Sequence, residues 1–186
     1  MDNLYIVDDA LDDSECTCLL NSIKGSKITS GASWWLGDYI DDLPIYWFDS
    51  DTDHLCKDLY IRLLVIASNY FDISAFVGYE TWTHINSKPA DWHQDKDERL
   101  IQIYDKLQFP LCTLVYYPFV DKDLKGGRVV FEDDTTVVPK TNRLIIFGPG
   151  VWHSVEEYTG ERFALIIGPW NKKICMEKCY DPNAND

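Results

Sequence analysis

The chain of 186 residues sets 31 Asp and Glu against 17 Lys and Arg, a formal charge of -14 at pH 7, and a surface of that sign repels phosphate backbones, so nucleic acid is disfavoured as a partner. Seven Trp, eleven Tyr and eight Phe argue against disorder. A fold of this length hides roughly 70% of its unfolded surface without disulfide staples, and one domain is expected.

The N-terminus, from Met1 to Ile6, has neither a basic region nor a long apolar run, and no window approaches the roughly 18 apolar residues of a membrane span. A soluble, cytoplasmic protein without a signal peptide is expected, its six cysteines reduced. Cys16 with Cys18 and Cys175 with Cys179 lack the usual CxxC spacing, which disfavours a four-thiolate zinc site.

Leu4-Tyr5-Ile6-Val7 is predicted as a strand of β-prone residues. Asp12, followed three residues later by Glu15, forms a capping box that opens a helix to about Lys24, with Cys16, Leu19, Leu20 and Ile23 as its apolar stripe. Gly25 to Pro44 is polar and Gly-interrupted around Trp34 and Trp35, a long loop that is either structural or a substrate-side lid. Ser50 or Asp51 is expected to cap a second helix to about Tyr70, with Leu55, Leu59, Leu63 and Ile66 at helical spacing and a solvated or capping His54 in its first turn.

From Ala75 the period changes to two. Phe76 to His84 is predicted as a strand, and strands and turns continue to Trp170, before a tail that frays after Pro182. Two helices ahead of about seven strands imply a mainly β protein, an antiparallel double sheet with helices packed on one outer face.

His93 and Asp95 stand two apart, so on extended backbone both face the same way. With His153 from a second extended run they make two imidazoles and one carboxylate, the facial set that binds Fe(II) in non-haem oxygenases. His-x-Asp alone is a weak signal in so acidic a chain, and three features strengthen it. Gly126-Gly127 opens the strand Arg128 to Phe131, and glycine there permits a tight turn or a close backbone approach. Turns at Pro139 to Asn142 and Gly148 to Gly150 bracket the buried strand Leu144 to Phe147 and lead into His153. Arg162 opens the apolar strand to Ile167 after the turn at Gly160, where it is either a hairpin arginine pointing to solvent or a guanidinium that, being costly in an apolar strand, meets an anion such as a carboxylate. On Leu111 to Tyr117 the alternation puts Thr113, Val115 and Tyr117 on one face, where hydroxyls could flank the same anion. Trp92 and Arg128 have no role in this pattern.

In the order and spacing of these motifs, the segment from about Gly78 to Trp170 resembles the catalytic domain of the 2-oxoglutarate and Fe(II)-dependent dioxygenases, in particular the prolyl 4-hydroxylase-like branch. Tyr5 to Leu11 is similar to the usual entry to such domains. The resemblance implies a double-stranded β-helix, a jelly-roll variant, over about 75–170, with helical support from about 1–74. It makes His93, Asp95 and His153 the iron ligands and Arg162 the partner of the distal carboxylate of 2-oxoglutarate. Tyr117 takes the place of a tyrosine bonding that carboxylate, with Thr113 and His84 as further candidates for the same pocket. It implies Fe(II), 2-oxoglutarate and O2 as cofactors, with ascorbate as an optional reductant. The reaction implied is hydroxylation of a C–H bond, foremost of a prolyl residue in a peptide or protein, with release of succinate and CO2. Three readings stay open beside it: a small-molecule or free amino-acid hydroxylase, a non-catalytic jelly-roll binding module, and a metal-assisted hydrolase that would not need 2-oxoglutarate.

Overall fold

The computed structural model describes residues 3–25, 38–39, 46–51, 56–85 and 89–175. The elements run β1 (Leu4–Asp8), α1 (Asp13–Gly25), β2 (Asp38–Tyr39), β3 (Tyr46–Asp49), α2 (Lys57–Ala67), β4 (Gly78–Ile85), β5 (Ala90–His93) and α3 (Glu98–Tyr104). There follow β6 (Thr113–Val120), β7 (Lys125–Gly126), β8 (Val129–Phe131), β9 (Thr136–Val137), β10 (Arg143–Phe147), β11 (His153–Val155), β12 (Tyr158–Thr159) and β13 (Arg162–Trp170). Among the described residues no helix is long and apolar enough to cross a membrane.

Seven strands form one antiparallel sheet in the order β1-β10-β6-β13-β4-β3-β2, and four form a second in the order β5-β11-β8-β9. The alternation of side chains across the large sheet explains the jelly-roll sandwich. Leu114, Tyr116, Leu144, Ile146, Leu165 and Ile167 point to one face and pack with Leu19 of α1 and Tyr60, Leu63 and Leu64 of α2. Val115, Tyr117, Ile145, Phe147, Ala164 and Ile166 point to the other face and pack with Val129, Phe131 and Val137 of the small sheet. With both faces covered, every residue of β13 is buried, which is why that strand reads as an unbroken apolar run after its arginine.

Local chemistry sets the helix start that the sequence marks most clearly. Asp12 Oδ1 accepts from the Glu15 amide at 2.9 Å, and Glu15 Oε2 accepts from the Asp12 amide at 3.0 Å, the reciprocal capping box. Behind it, buried Asn142 sits at φ 61 in the left-handed region that asparagine tolerates. Its side chain donates to the Leu11 carbonyl and accepts from the Leu11 amide and the Tyr116 hydroxyl. That one amide anchors the β1–α1 connection to the sheet.

Three observations depart from the sequence reading. The large sheet takes β1, β2 and β3 from the first fifty residues, because β1 pairs with β10, β3 with β4 and β2 with β3. The second helix begins at Lys57, preceded by Cys56 at φ 65, and no side chain caps it. A short third helix, α3, follows the His-x-Asp motif, capped by Asp97, whose Oδ1 accepts from the Leu100 amide at 2.9 Å. The loop tryptophans Trp34 and Trp35, His54, Cys179 and the tail after Pro182 lie outside the described residues.

Candidate metal and anion site

His93 ends β5, His153 opens β11, and the two are directly paired across the small sheet. Their rings lie 4.2 Å apart at 54°. Asp95 follows His93 beyond the strand end and brings Oδ1 to 3.8 Å from His93 Nε2 and Oδ2 to 3.9 Å from His153 Nε2. Donor atoms of the three residues all lie within 4.8 Å of one another, so a small inward shift of the side chains brings all three to about 2.1 Å from one ion. Among the described residues this is the one group of three such side chains close enough to hold a metal.

The tautomers favour ligation. His93 Nδ1 is 2.7 Å from the Asp91 carbonyl and His153 Nδ1 is 3.1 Å from the Val151 carbonyl. A carbonyl can only accept, so each Nδ1 carries a proton, and in the neutral ring that ligation requires each Nε2 turns its lone pair toward Asp95. Burial lowers the pKa of His153, against the opposing pull of the Asp95 charge, and keeps the ring neutral and ready to bind. Rings of Phe147, at 4.8 Å, and Phe131, at 6.3 Å, fix its position from the core side. The turn after Asp95 is held by Asp97, whose second oxygen accepts from the Cys175 amide at 2.7 Å. The Gln94 side-chain amide donates to the Gly150 carbonyl and ties the two ligand-bearing segments together.

The triad opens into a cavity whose other walls are Val115, Tyr117, Val129, Val155, Ala164 and Ile166, with Trp82, His84 and Arg162 also lining it. Arg162 is 2% exposed, and its Nη1 donates to the Gly127 carbonyl at 2.8 Å. Its guanidinium carbon lies 4.3 Å from the Tyr158 ring centre and 5.8 Å from that of Tyr117, close enough for both π faces to stabilise the cation. The glycine pair explains this cradle. Gly126 and Gly127 have φ of 78° and 73°, and a Cβ on Gly127 would press on the Tyr158 side chain at 3.2 Å. Absence of that Cβ lets the phenol ring lie close beside the arginine. Tyr158 was not legible in the sequence, since only the fold brings it over Arg162. A buried guanidinium at the end of an apolar chamber attracts an anion of carboxylate size.

Of the other sequence candidates, Tyr117 and His84 line the cavity with Arg162. Burial raises the Tyr117 pKa in spite of the nearby Arg162 charge, so the phenol stays protonated. His84 accepts from the Trp82 indole N–H at 3.3 Å, which places its own proton on Nδ1. Thr113 is a different case. It does not line the cavity, and its hydroxyl donates to Asp95 Oδ2 at 2.8 Å. The alternation rule gave its face correctly but not its place along β6, where four residues span about 13 Å and separate it from Tyr117. Arg128 forms a two-bond pair with Glu156 on the surface, at 2.7 and 2.6 Å.

One acid-side consequence follows from His84. Burial first, then the Arg162 and His93 charges, lower its pKa from 6.5 to about 4. Above pH 6.5 the ring is neutral in folded and unfolded chains alike; below it the unfolded chain takes a proton that the folded site refuses. Stability of the metal-free protein should therefore fall as pH drops from 6.5 toward 4, by about 3 kcal/mol from this residue. His84→Gln should flatten that decline by a similar amount in urea titrations at pH 7 and pH 4.5. An unchanged pH dependence would contradict the assignment.

No protein-family model and no curated protein matches the chain. Solved structures do match it. A viral collagen prolyl hydroxylase from Paramecium bursaria Chlorella virus-1, solved as a 2OG complex, is 17% identical with a TM-score of 0.56, over 90% of this chain and 96% of that one. A prolyl-4-hydroxylase from Pseudomonas putida is 15% identical with a TM-score of 0.63, over 92% and 94%. A prolyl hydroxylase from Trichoplax adhaerens, in complex with a peptide fragment of the hypoxia inducible factor oxygen degradation domain, is 17% identical with a TM-score of 0.63, over 92% and 84%. The chain thus has the jelly-roll fold of the prolyl 4-hydroxylase-like 2-oxoglutarate oxygenases.

Proposed function

We propose that this chain, which folds as the prolyl 4-hydroxylases do, is an Fe(II)- and 2-oxoglutarate-dependent dioxygenase that hydroxylates a prolyl residue in a peptide or protein. The observation that carries the reading is the meeting, in one cavity, of the His93, Asp95 and His153 cluster with the buried cation of Arg162. A metal site alone would fit a hydrolase. The arginine adds a seat for an anionic co-substrate, which a hydrolase or a binding module does not require.

In this reading His93, Asp95 and His153 hold Fe(II), and the donor set suits it: two neutral imidazoles and a carboxylate. Bound iron supplies the oxidising chemistry, with 2-oxoglutarate and O2 consumed and succinate and CO2 released. The chain's own residues bind, orient and exclude water. Arg162 and the Tyr117 hydroxyl engage the distal carboxylate of 2-oxoglutarate, and the Nδ1–H of His84 offers a further donor to it. Val115, Val129, Val155, Ala164 and Ile166 line the chamber between the two ends and keep it apolar.

The peptide half of the proposal draws on the Trichoplax adhaerens neighbour, which was solved with a peptide. Trp92, 51% exposed, and Trp152, 42% exposed, also fit it, since each directly precedes a ligand histidine and offers an apolar ring to substrate. The test is succinate release, screened across proline-containing peptides, intact proteins and free amino acids. Turnover coupled to a prolyl peptide is expected, with a mass gain of one oxygen on the proline. Coupling to free amino acids alone would reject the peptide reading while leaving the oxygenase reading intact.

A further inference from the structure

We infer that Thr113 is a positioning residue for the metal-binding carboxylate: its hydroxyl holds Oδ2 of Asp95 and leaves Oδ1 as the single oxygen presented to the ion. The inference rests on the metal reading above and assigns Thr113 to the metal end of the site instead of the 2-oxoglutarate end.

Four observations carry it. The Thr113 hydroxyl lies 2.8 Å from Asp95 Oδ2, and an ionised carboxylate only accepts, so Thr113 donates. Thr113 is 2% exposed and the Asp95 side chain 7%, so no bulk water competes for that oxygen. Thr113 opens β6, an inner strand of the large sheet that is paired with β10 on one side and β13 on the other. Its β-branched side chain has little rotamer freedom there. Finally, each Asp95 oxygen lies beside a different histidine, Oδ1 3.8 Å from His93 Nε2 and Oδ2 3.9 Å from His153 Nε2. Distance alone does not choose between them. A carboxylate free to turn could bind through both oxygens and take a coordination position that co-substrate or O2 needs. The hydroxyl fixes the rotation and weakens Oδ2 as a donor.

The experiment compares wild type, Thr113→Val and Thr113→Ser for anaerobic Fe(II) affinity and for the d–d absorption of the Co(II)-loaded protein. Loss of an outer hydrogen bond to a metal ligand typically costs about 10- to 100-fold in affinity, and a loss in that range is expected for Thr113→Val together with an altered Co(II) spectrum. Thr113→Ser, which keeps the donor, should restore both. Wild-type affinity and spectrum in Thr113→Val would overturn the inference, as would equal losses in the Val and Ser variants, since these would make the side chain's shape decisive. If near-UV circular dichroism shows that Thr113→Val does not fold, Thr113→Ala removes the hydroxyl without pressing a methyl group on the carboxylate and is judged by the same criteria. Failure of the wild-type protein to bind either metal overturns the functional reading itself, a result distinct from metal bound normally by the Val variant.

Discussion

Replacing Asp95 with alanine should abolish turnover and lower Fe(II) affinity by two to three orders of magnitude. Among the described residues the carboxylate is the one anion within 4 Å of both histidines, and its side chain is 7% exposed. Breaking a buried charge pair typically costs about 3–5 kcal/mol, and each 1.4 kcal/mol is a factor of ten in affinity. Anaerobic equilibrium dialysis with Fe(II), alongside circular dichroism to establish folding, reads the effect directly. A second consequence separates electrostatics from packing. Glu80 is buried, and burial together with the Asp95 charge raises its pKa well above the carboxylate norm. In Asp95→Ala that upward push weakens, so the fold need not suffer where the metal site does. A folded, iron-replete and active Asp95→Ala protein would remove Asp95 from the ligand set.

Arg162→Ala should raise the dissociation constant for 2-oxoglutarate about 100-fold, because a carboxylate loses two charge-assisted hydrogen bonds worth roughly 1.5–3 kcal/mol each, partly offset by water. Arg162→Lys should recover little. A lysine keeps the charge, but it lacks the planar fork that lies against the Tyr158 ring and donates to the Gly127 carbonyl. Fe(II) affinity is the internal control and should stay within a few-fold in both variants, since Arg162 is not in the ligand cluster. Calorimetry with the metal-loaded protein checks both numbers. Equal 2-oxoglutarate affinity in wild type and Arg162→Ala would dismiss the anion seat.

What the sequence made legible, it did through local rules. The capping box at Asp12 and Glu15 forms as read, because all its partners lie within four residues. His93 and Asp95 meet as expected from their spacing of two, and Arg162 heads a strand that is buried throughout. Features that depend on distant partners were hidden. Nothing in Leu4 to Asp8 reveals that it pairs with Arg143 to Phe147, and nothing in the glycine pair reveals Tyr158 across from it. Helix α3 is seven residues long, too short for a periodic signal, although Asp97 three residues before Leu100 is a recognisable cap. Thr113 shows the limit of the alternation rule, which fixes the face of a strand and leaves open which end of the site a side chain reaches.

If one site holds both iron and 2-oxoglutarate, anaerobic titration of the metal-free protein with Fe(II) and then 2-oxoglutarate will show it in the visible absorption. A weak charge-transfer band that needs both additions, and saturates at one equivalent of each, is the expected result. Bound iron with no band on adding 2-oxoglutarate would contradict a shared site and leave the cavity to a hydrolase or a binding module.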